Sequence, residues 1–534
     1  MAVISLLGAA APSHAAPVAA PGHVVAAVPA VATPPVTRLA GPSRYATAVA
    51  VSQEAFSTGQ RPPVVLLVSG ANYPDALTAA PAAARLGGIT LLTEPSRLTP
   101  VTEAELRRLA PEKVVILGAA GAVSAEVEAA VAGIAPVERI GGADRFETSR
   151  LVAAHVFGGA GSSRAWIATG LNYPDALAAG AAAGANGAPL VLVDGSADAM
   201  DDATAALVVS LGATEFVIAG GPTVVSAGLE QSLAARVPGA GVYRAGGTDR
   251  FDTARLVVAH GFPGLPPGRA FLATGSNYPD ALVGAAYAAR LGRPLLLTRP
   301  LCIDPSIRPV LLGPEYTSLT LLGGASVLRG LVGTLEPCQS LSSSASAWVV
   351  VNKQRPYEPS GYTPSGLVTP NVRYAGGQLL RAEAATAVQA MFDDAGSAGV
   401  PMSIVSGYRS FATQAALYDT RLRERGRSYT DAWIARPGHS EHQSGLALDI
   451  GPVGAAGCST HTCLGNTPQG RWLAENSWRY GFIVRYQAGQ ETVTGYNAEP
   501  WHVRYVGVPL ATDYHRDGWT SLEDYAGLPA APTY

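Results

Sequence analysis

Charge is scarce in this chain. Only 14% of its 534 residues are charged, and 37 basic against 40 acidic side chains leave a formal net charge of -3. Without a basic excess, the composition gives no reason to expect nucleic acid as a partner. No stretch of about 18 apolar residues runs uninterrupted, so no membrane-spanning helix is expected. Cysteine is rare as well: there are four, none in a C-x-x-C spacing, which argues against a zinc site built from cysteine. They fall into two local pairs, Cys302 with Cys338 and Cys458 with Cys463. That placement predicts two disulfides and an exported protein, with buried or free thiols as the alternative. The N-terminus lacks the basic n-region of a secretory signal. "MAVISLLGAAAPSHAAP" nevertheless has a short apolar core and a small-residue site at Ser13-His14-Ala15. Residues 1–37 are therefore expected to be a signal-like segment followed by a Pro/Ala tether.

The length suggests three or four domains. Most of the first 338 residues is one pattern used three times, over 38–138, 139–243 and 244–338. Each copy opens on a basic, Gly-rich turn and a helix ("RLAGPSRY", "RIGGADRF", "RAGGTDRF"). Each continues to an apolar strand ending in Gly, then "NYPDAL", an alanine-rich helix and a second strand, and closes on a further strand followed by glycine. Strand and helix patterns alternating at this spacing predict three small α/β domains with parallel sheets.

NYPDAL itself reads first as a helix start. Proline suits the first helical turn, and Asp75, Asp175 and Asp280 fall where unpaired N–H groups and the dipole favour an acid. Asn72, Asn172 and Asn277 suit the turn before it. The functional alternative places these acids at the carboxyl ends of parallel strands, where such sheets bind ligands. No His, Cys or Ser-base partner recurs with them, so binding is favoured over catalysis. Arg44, Arg145 and Arg250, which also recur, are candidates for an anionic polymer or an interdomain contact.

The R-x-x-G-x-x-R-[YF] turn, the [ST]-G-x-NYPDAL element and the closing strand with its glycines, found in order three times, resemble the bacterial cell wall-binding repeat type 2 family. The resemblance implies three Toprim-like modules about a pseudo-threefold axis, attaching the protein to anionic wall polymers at the bacterial cell surface. The first copy departs from the pattern, with "AGPSRY" in its opening turn and "LGAAG" at its closing strand.

A Ser-rich segment, 339–347, reads as a linker, and residues 348–534 differ in composition from what precedes them. Five of the nine histidines lie beyond position 438. "PGHSEHQSGLALDI" sets His442 and Asp449 seven residues apart, and "EPWHVRYVG" sets Glu499 three before His502. Two imidazoles and a carboxylate are a common donor set for one zinc ion, and a further carboxylate beside them suits a general base. Each spacing alone reads equally well as a strand-end acid and a capping or core histidine. By type, His439, His461 and His515 compete as ligands, but none has an acid at metal-like spacing.

Ser440, His442, Gly445, Ala447 and Asp449 match S-x-H-x-x-G-x-A-x-D, and Glu499, Trp501 and His502 match E-x-W-H. Together with "SGYRSFATQAALY" and "VNKQRP" upstream, they resemble the VanY-like D-alanyl-D-alanine carboxypeptidases. The resemblance implies an α+β zinc peptidase domain acting on peptidoglycan stem peptides. It makes His442, Asp449 and His502 the ligands of one Zn2+, Glu499 the general base and Arg409 the holder of the oxyanion or substrate carboxylate. Ser440, Gln414 and Trp501 become substrate contacts. An endopeptidase of peptidoglycan cross-links and a non-catalytic surface-layer protein are the rival readings.

Overall fold

The computed structural model describes residues 33–534, apart from 160, 374–377, 456 and 459–460. The signal-like segment and most of the tether expected over 1–37 lie outside the described residues.

The repeat region forms three four-stranded, all-parallel sheets. Their inner strands Val64–Ser69, Arg164–Thr169 and Gly268–Thr274 are almost wholly buried, which is why they read as continuous apolar runs without alternation. The opening segment of each copy is not only a turn and a helix, as the sequence pattern predicts. It begins with a strand, and that strand joins the sheet of the preceding copy. Val137–Ile140 pairs with Lys113–Leu117, and Gly241–Ala245 pairs with Glu215–Ala219. Val36–Leu39, at the start of the described chain, pairs with Tyr316–Leu322 of the third copy. The three sheets are thereby linked in a closed circle. The first arginine of each repeat latches the exchange. Arg38, Arg139 and Arg244 donate to the carbonyls of Gly323, Gly118 and Gly220 at 2.6, 2.8 and 2.8 Å.

The helices that follow NYPDAL face one another inside this circle. Ala79–Arg85, Pro174–Ala185 and Pro279–Arg290 share one buried cluster, built largely from alanine. Small side chains let the helix backbones approach closely. At Gly184 even a Cβ would stand 2.7 Å from Ala289 Cβ and 3.0 Å from Pro81 Cα.

Both disulfides are formed, Cys302–Cys338 and Cys458–Cys463. The Ser-rich segment expected as a linker is packed rather than free: Leu341 lies against a core cluster, and the Ser344 hydroxyl donates to the Glu358 carbonyl. That cluster joins Cys302 and Leu331 of the third module to Trp348, Leu510, Tyr514 and Tyr525 of the C-terminal domain. Arg329 lies over the Trp519 ring at 4.5 Å and bonds the Tyr525 carbonyl. The third module and the C-terminal domain thus share a buried apolar core.

The C-terminal domain is α+β. Its antiparallel sheet has the order Met402–Ser406, Ala447–Pro452, Glu499–Tyr505, Phe482–Tyr486. The helix Ala382–Ser397 packs on it through Val388, Met391 and Phe392. A second helix, Phe411–Trp433, starts at Ser410, whose hydroxyl accepts from Thr413 N–H, and breaks at Gly426, where φ is 75°.

Candidate metal centre and its cleft

Strand register brings the two C-terminal motifs together. Asp449 and His502 are direct cross-strand partners, on the strands Ala447–Pro452 and Glu499–Tyr505. Facing side chains on adjacent antiparallel strands stand within reach of one another, so residues fifty apart in sequence meet without any loop having to place them. His442 arrives from the preceding 3-10 turn, Glu441–Ser444. Gly445 ends that turn in the left-handed conformation, at φ 68°.

The donor atoms of His442, Asp449 and His502 lie within 4.8 Å of one another, and no other group of three or more such residues with this geometry occurs among the described residues. Nε2 of His442 is 3.3 Å from Asp449 Oδ2, and Nδ1 of His502 is 3.1 Å from Asp449 Oδ1. Outer partners fix the rings. His442 Nδ1 faces the Gly407 carbonyl at 2.7 Å. A carbonyl only accepts, so the proton sits on Nδ1 and the Nε2 lone pair points toward Asp449. His502 Nε2 faces Glu441 Oε2 at 3.3 Å, which leaves its Nδ1 on the Asp449 side. Two imidazole nitrogens, each oriented by an outer partner, and a carboxylate between them fit a single divalent ion of the zinc type.

The electrostatics of the cluster follow from burial and partners. Burial opposes ionisation of Asp449, but the two imidazoles outweigh it and hold its carboxyl well below the usual range. His442 is lowered, chiefly by burial. Burial also works against protonated His502, yet hydrogen bonds to Asp449 and Glu441 lift it to about 9. Such a proton is the one a divalent cation would displace. Glu499 Oε2 lies 3.9 Å from His502 Nδ1, and burial pushes this carboxyl up to about 8.

These residues line a cleft of about 760 Å³. Arg409 reaches into it, with Nη1 donating to Gln414 Oε1 and Nη2 to Ser406 Oγ, both at 2.9 Å. Gln414 is buried and donates in turn to the Ala435 carbonyl at 2.6 Å. Its visible work is to hold the guanidinium, whereas the sequence reading makes it a substrate contact. Ser440 and Trp501 also line the cleft, Trp501 with most of its ring in the domain core. Of the competing histidines, His439 Nδ1 bonds the Asn352 carbonyl and His515 stacks on Trp478. Neither lines this cleft, and the His461 side chain lies outside the described residues.

The sequence reading missed a buried polar network behind His442 and His502. Glu441 Oε1 accepts from Arg485 Nε at 2.9 Å and from Arg504 Nη1 at 3.0 Å. Arg485 also makes two bonds to Glu523, which accepts from Asn352 Nδ2. Glu441 is held well below the ordinary range: burial opposes this, but Arg485 and Arg504 prevail. A signal was present. "FIVRY" and "HVRYV" each carry an arginine inside a run that otherwise reads as a buried strand, and an acid sits directly beside His442.

In the repeats the recurring arginines are tied to backbone, while Arg250 and the three NYPDAL asparagines stay exposed. Arg44, Arg145 and Arg250 donate to the carbonyls of Gly70, Gly170 and Gly275 at 2.5, 2.7 and 2.6 Å. Asn72 and Asn277 accept from the next backbone N–H. Proline holds the first turn in every copy, with tyrosine at the cap and asparagine one residue before it. In the first copy that turn is a short 3-10 helix, Pro74–Ala76, instead of the start of an α-helix. Asp75, Asp175 and Asp280 face the closing-strand glycines Gly118, Gly220 and Gly323. A Cβ at those glycines would meet the carboxylates at 2.8, 2.9 and 2.5 Å, and their φ values are 104°, 124° and 107°. The sequence reading also passed over the tyrosines. Tyr73, Tyr173 and Tyr278 converge from three copies, with centroids 5.3, 5.5 and 5.7 Å apart.

Comparison with known proteins follows the same division. The chain is 37% identical over 192 residues to the putative carboxypeptidase YodJ of Bacillus subtilis (strain 168), covering 35% of this chain and 69% of that protein. It is 34% identical over 186 residues to a D-alanyl-D-alanine carboxypeptidase of Enterococcus faecalis (strain ATCC 700802 / V583), covering 33% of this chain and 64% of that one. The fold of Cwp8 from Clostridium difficile matches with a TM-score of 0.51 and 28% identity, over 56% of this chain and 51% of that one. The chain therefore spans just under two thirds of the Enterococcus protein and about half of Cwp8. Cell wall binding domain 2 (CWB2) matches residues 38–128, 139–230 and 244–330, and the D-alanyl-D-alanine carboxypeptidase family VanY matches 377–508. The chain belongs to both families: three cell wall binding repeats followed by a VanY D-alanyl-D-alanine carboxypeptidase domain.

Proposed function

We propose that this protein is exported, held at the bacterial cell wall by its three repeats, and hydrolyses the terminal D-Ala–D-Ala bond of peptidoglycan stem peptides with one zinc ion. The observation that carries the reading is the convergence of His442, Asp449 and His502 with Glu499 and Arg409 in one cleft of a VanY domain. Zinc bound by these three residues would polarise the scissile carbonyl and lower the pKa of water from ~16 to ~7. Glu499, beside the ligands but outside their set, takes the proton from water and delivers it to the leaving amine. Arg409, braced by Gln414 and Ser406, holds the oxyanion or the terminal carboxylate as a fixed, permanently charged fork. Ser440 and Trp501 contact the substrate along the same wall. Glu441 keeps the His502 ring in place.

For the repeats, the reading is three Toprim-like modules about a pseudo-threefold axis. The tyrosine triangle and the mutual packing of the three alanine-rich helices support it. An anionic wall polymer suits the centre of this face. Arg44 lies 5.7 Å from the Tyr278 ring and Arg145 lies 6.0 Å from the Tyr73 ring, so positive charge accompanies the aromatic surface.

The test is product analysis on muropeptides, with and without a chelator. Loss of the terminal D-Ala from uncross-linked pentapeptide, abolished by chelation, is expected. Cleavage confined to cross-linked muropeptides would make the protein an endopeptidase, and no cleavage of either would remove the enzymatic reading. Glu499→Ala is expected to retain zinc and to lose release of D-Ala by about 10²–10⁴-fold.

A further inference from the structure

The peptide unit that joins Ala435 to Arg436 is gripped at both ends. Its carbonyl accepts from Gln414 Nε2 at 2.6 Å, and Gln414 Oε1 accepts in turn from Arg409 Nη1 at 2.9 Å. Its N–H donates to the Tyr534 hydroxyl oxygen at 2.7 Å. A peptide unit is planar and resists twisting, so fixing its N–H also fixes the direction of its carbonyl. Arg409 is thereby tied to Tyr534 through one rigid plane and one side-chain amide.

Tyr534 is itself firmly seated. Its ring lies 4.0 Å from the Arg436 guanidinium and 5.5 Å from Lys353 Nζ, and meets the His439 ring edge-on at 5.1 Å. Its hydroxyl also pairs with that of Tyr496 at 2.8 Å. Tyr496 lines the catalytic cleft and packs at 5.1 Å on Tyr486, which lies 5.0 Å from the His502 ring. The backbone around Tyr534 is pinned as well. The carbonyls of Pro529, Pro532 and Thr533 accept from Arg355, Lys353 and Gln354, all within "VNKQRP", and the Ala531 N–H donates to the Val493 carbonyl. No residue of "VNKQRP" is among the described residues lining the cleft, so its visible work is to hold the segment that carries Tyr534. That segment lies beyond 377–508, the residues matched by the VanY family.

We propose that Tyr534 is a positioning residue: its hydroxyl sets the 435–436 peptide and, through Gln414, aims the Arg409 guanidinium into the cleft. The inference rests on the proposed role of Arg409 in hydrolysis of stem peptides. A charge that develops in the cleft is stabilised best by a donor already aimed at it. Gln414 alone would swing with its carbonyl partner, and locking that carbonyl removes the freedom. Ser406 still holds Nη2 when the lock is lost, so the effect is partial.

The experiment uses the full chain and first a readout that needs no turnover. Phenylglyoxal, which attacks accessible guanidinium groups, is applied to wild type and to Tyr534→Phe, and each arginine is followed by mass spectrometry. Losing one hydrogen bond of about 1 kcal/mol should speed modification of Arg409 about three- to tenfold. Arg421, which lines the same cleft but pairs with Glu424, should keep its rate. An unchanged rate at Arg409, or equal acceleration at both arginines, overturns the proposal. Turnover of a pentapeptide stem by the zinc-loaded protein supplies the second readout. Tyr534→Phe should lower kcat/KM for D-Ala release about three- to tenfold, and Tyr534→Ala, which also removes the ring from Arg436, should lower it further. In an Arg409→Lys background the Tyr534→Phe change should cost nothing more, because the fork it aims is gone. Losses that simply add overturn the proposal. If the wild type cleaves no muropeptide, the peptidase reading fails and the modification rates alone decide the positioning.

Discussion

The repeat region and the peptidase domain use the same residue types to opposite ends. In the repeats, arginine, asparagine and aspartate recur at fixed positions, and most of their hydrogen bonds go to backbone of their own or a neighbouring module. Arg44, Arg145 and Arg250 cap strand-end glycine carbonyls, and Arg38, Arg139 and Arg244 lock exchanged strands. In the peptidase domain, His442, Asp449 and His502 aim donor atoms at one another, and outer partners hold the two rings there. A charged side chain that satisfies backbone makes a scaffold. Donor groups of complementary type, crowded together beside a cleft, make a set able to hold a metal ion.

That contrast can be broken at several points. The largest effect is expected from His442→Ala, which should abolish zinc binding and D-Ala release while leaving wall binding intact, checked by metal analysis, product assay and cosedimentation with purified walls. Glu441→Ala comes next. It leaves Arg485 and Arg504 without their shared acid, and an uncompensated buried charge costs about 3–5 kcal/mol. Denaturation of the metal-free protein should report that loss, and zinc affinity should fall by about 10–100-fold as His502 loses its outer partner. In the repeats, Gly220→Ala requires φ 124° of a residue with a Cβ and drives that Cβ against Asp175. A loss of about 1–3 kcal/mol and weaker wall binding are expected, with turnover of a soluble pentapeptide unchanged.

A further effect is a pH dependence. Burial raises the Asp175 carboxyl from 3.8 to about 6, against the pull of Arg250. The folded state therefore holds this proton more tightly than the unfolded chain does. Its contribution to stability is full below about pH 4 and declines by roughly 3 kcal/mol as pH rises to about 6. Asp175→Asn should flatten that part of the stability profile, measured as the difference between the two proteins' denaturation midpoints across the window. A variant that follows the wild-type slope would place the titration elsewhere.

Much of this was legible in the chain itself. Continuous apolar runs bounded by glycine gave parallel strands, and proline marked the first turn of each NYPDAL element. Two local cysteine pairs gave the two disulfides. The spacings around His442, Asp449 and His502 raised the donor set only as one of two readings, and the resemblance to the VanY-like carboxypeptidases singled it out. The misses share a cause. Whether Val36–Leu39 joins its own module or the third depends on partners distant in sequence. Local pattern carries no information about such partners. Glu441 went unread for the same reason, because Arg485 and Arg504 stand 44 and 63 residues away.

The sequence by itself determined the buried inner strands, which residues are able to ligate metal, and that one unit is used three times, since these depend on side-chain chemistry and short-range periodicity. Tertiary structure alone decided the rest. It closed the repeats by strand exchange, tied their recurring arginines to backbone carbonyls, and set the register that makes Asp449 and His502 neighbours. It also joined Tyr534 to Arg409 through the 435–436 peptide and Gln414. Each of these is a matter of which distant surfaces meet, and burial and hydrogen-bond satisfaction settle that only once the whole chain has packed.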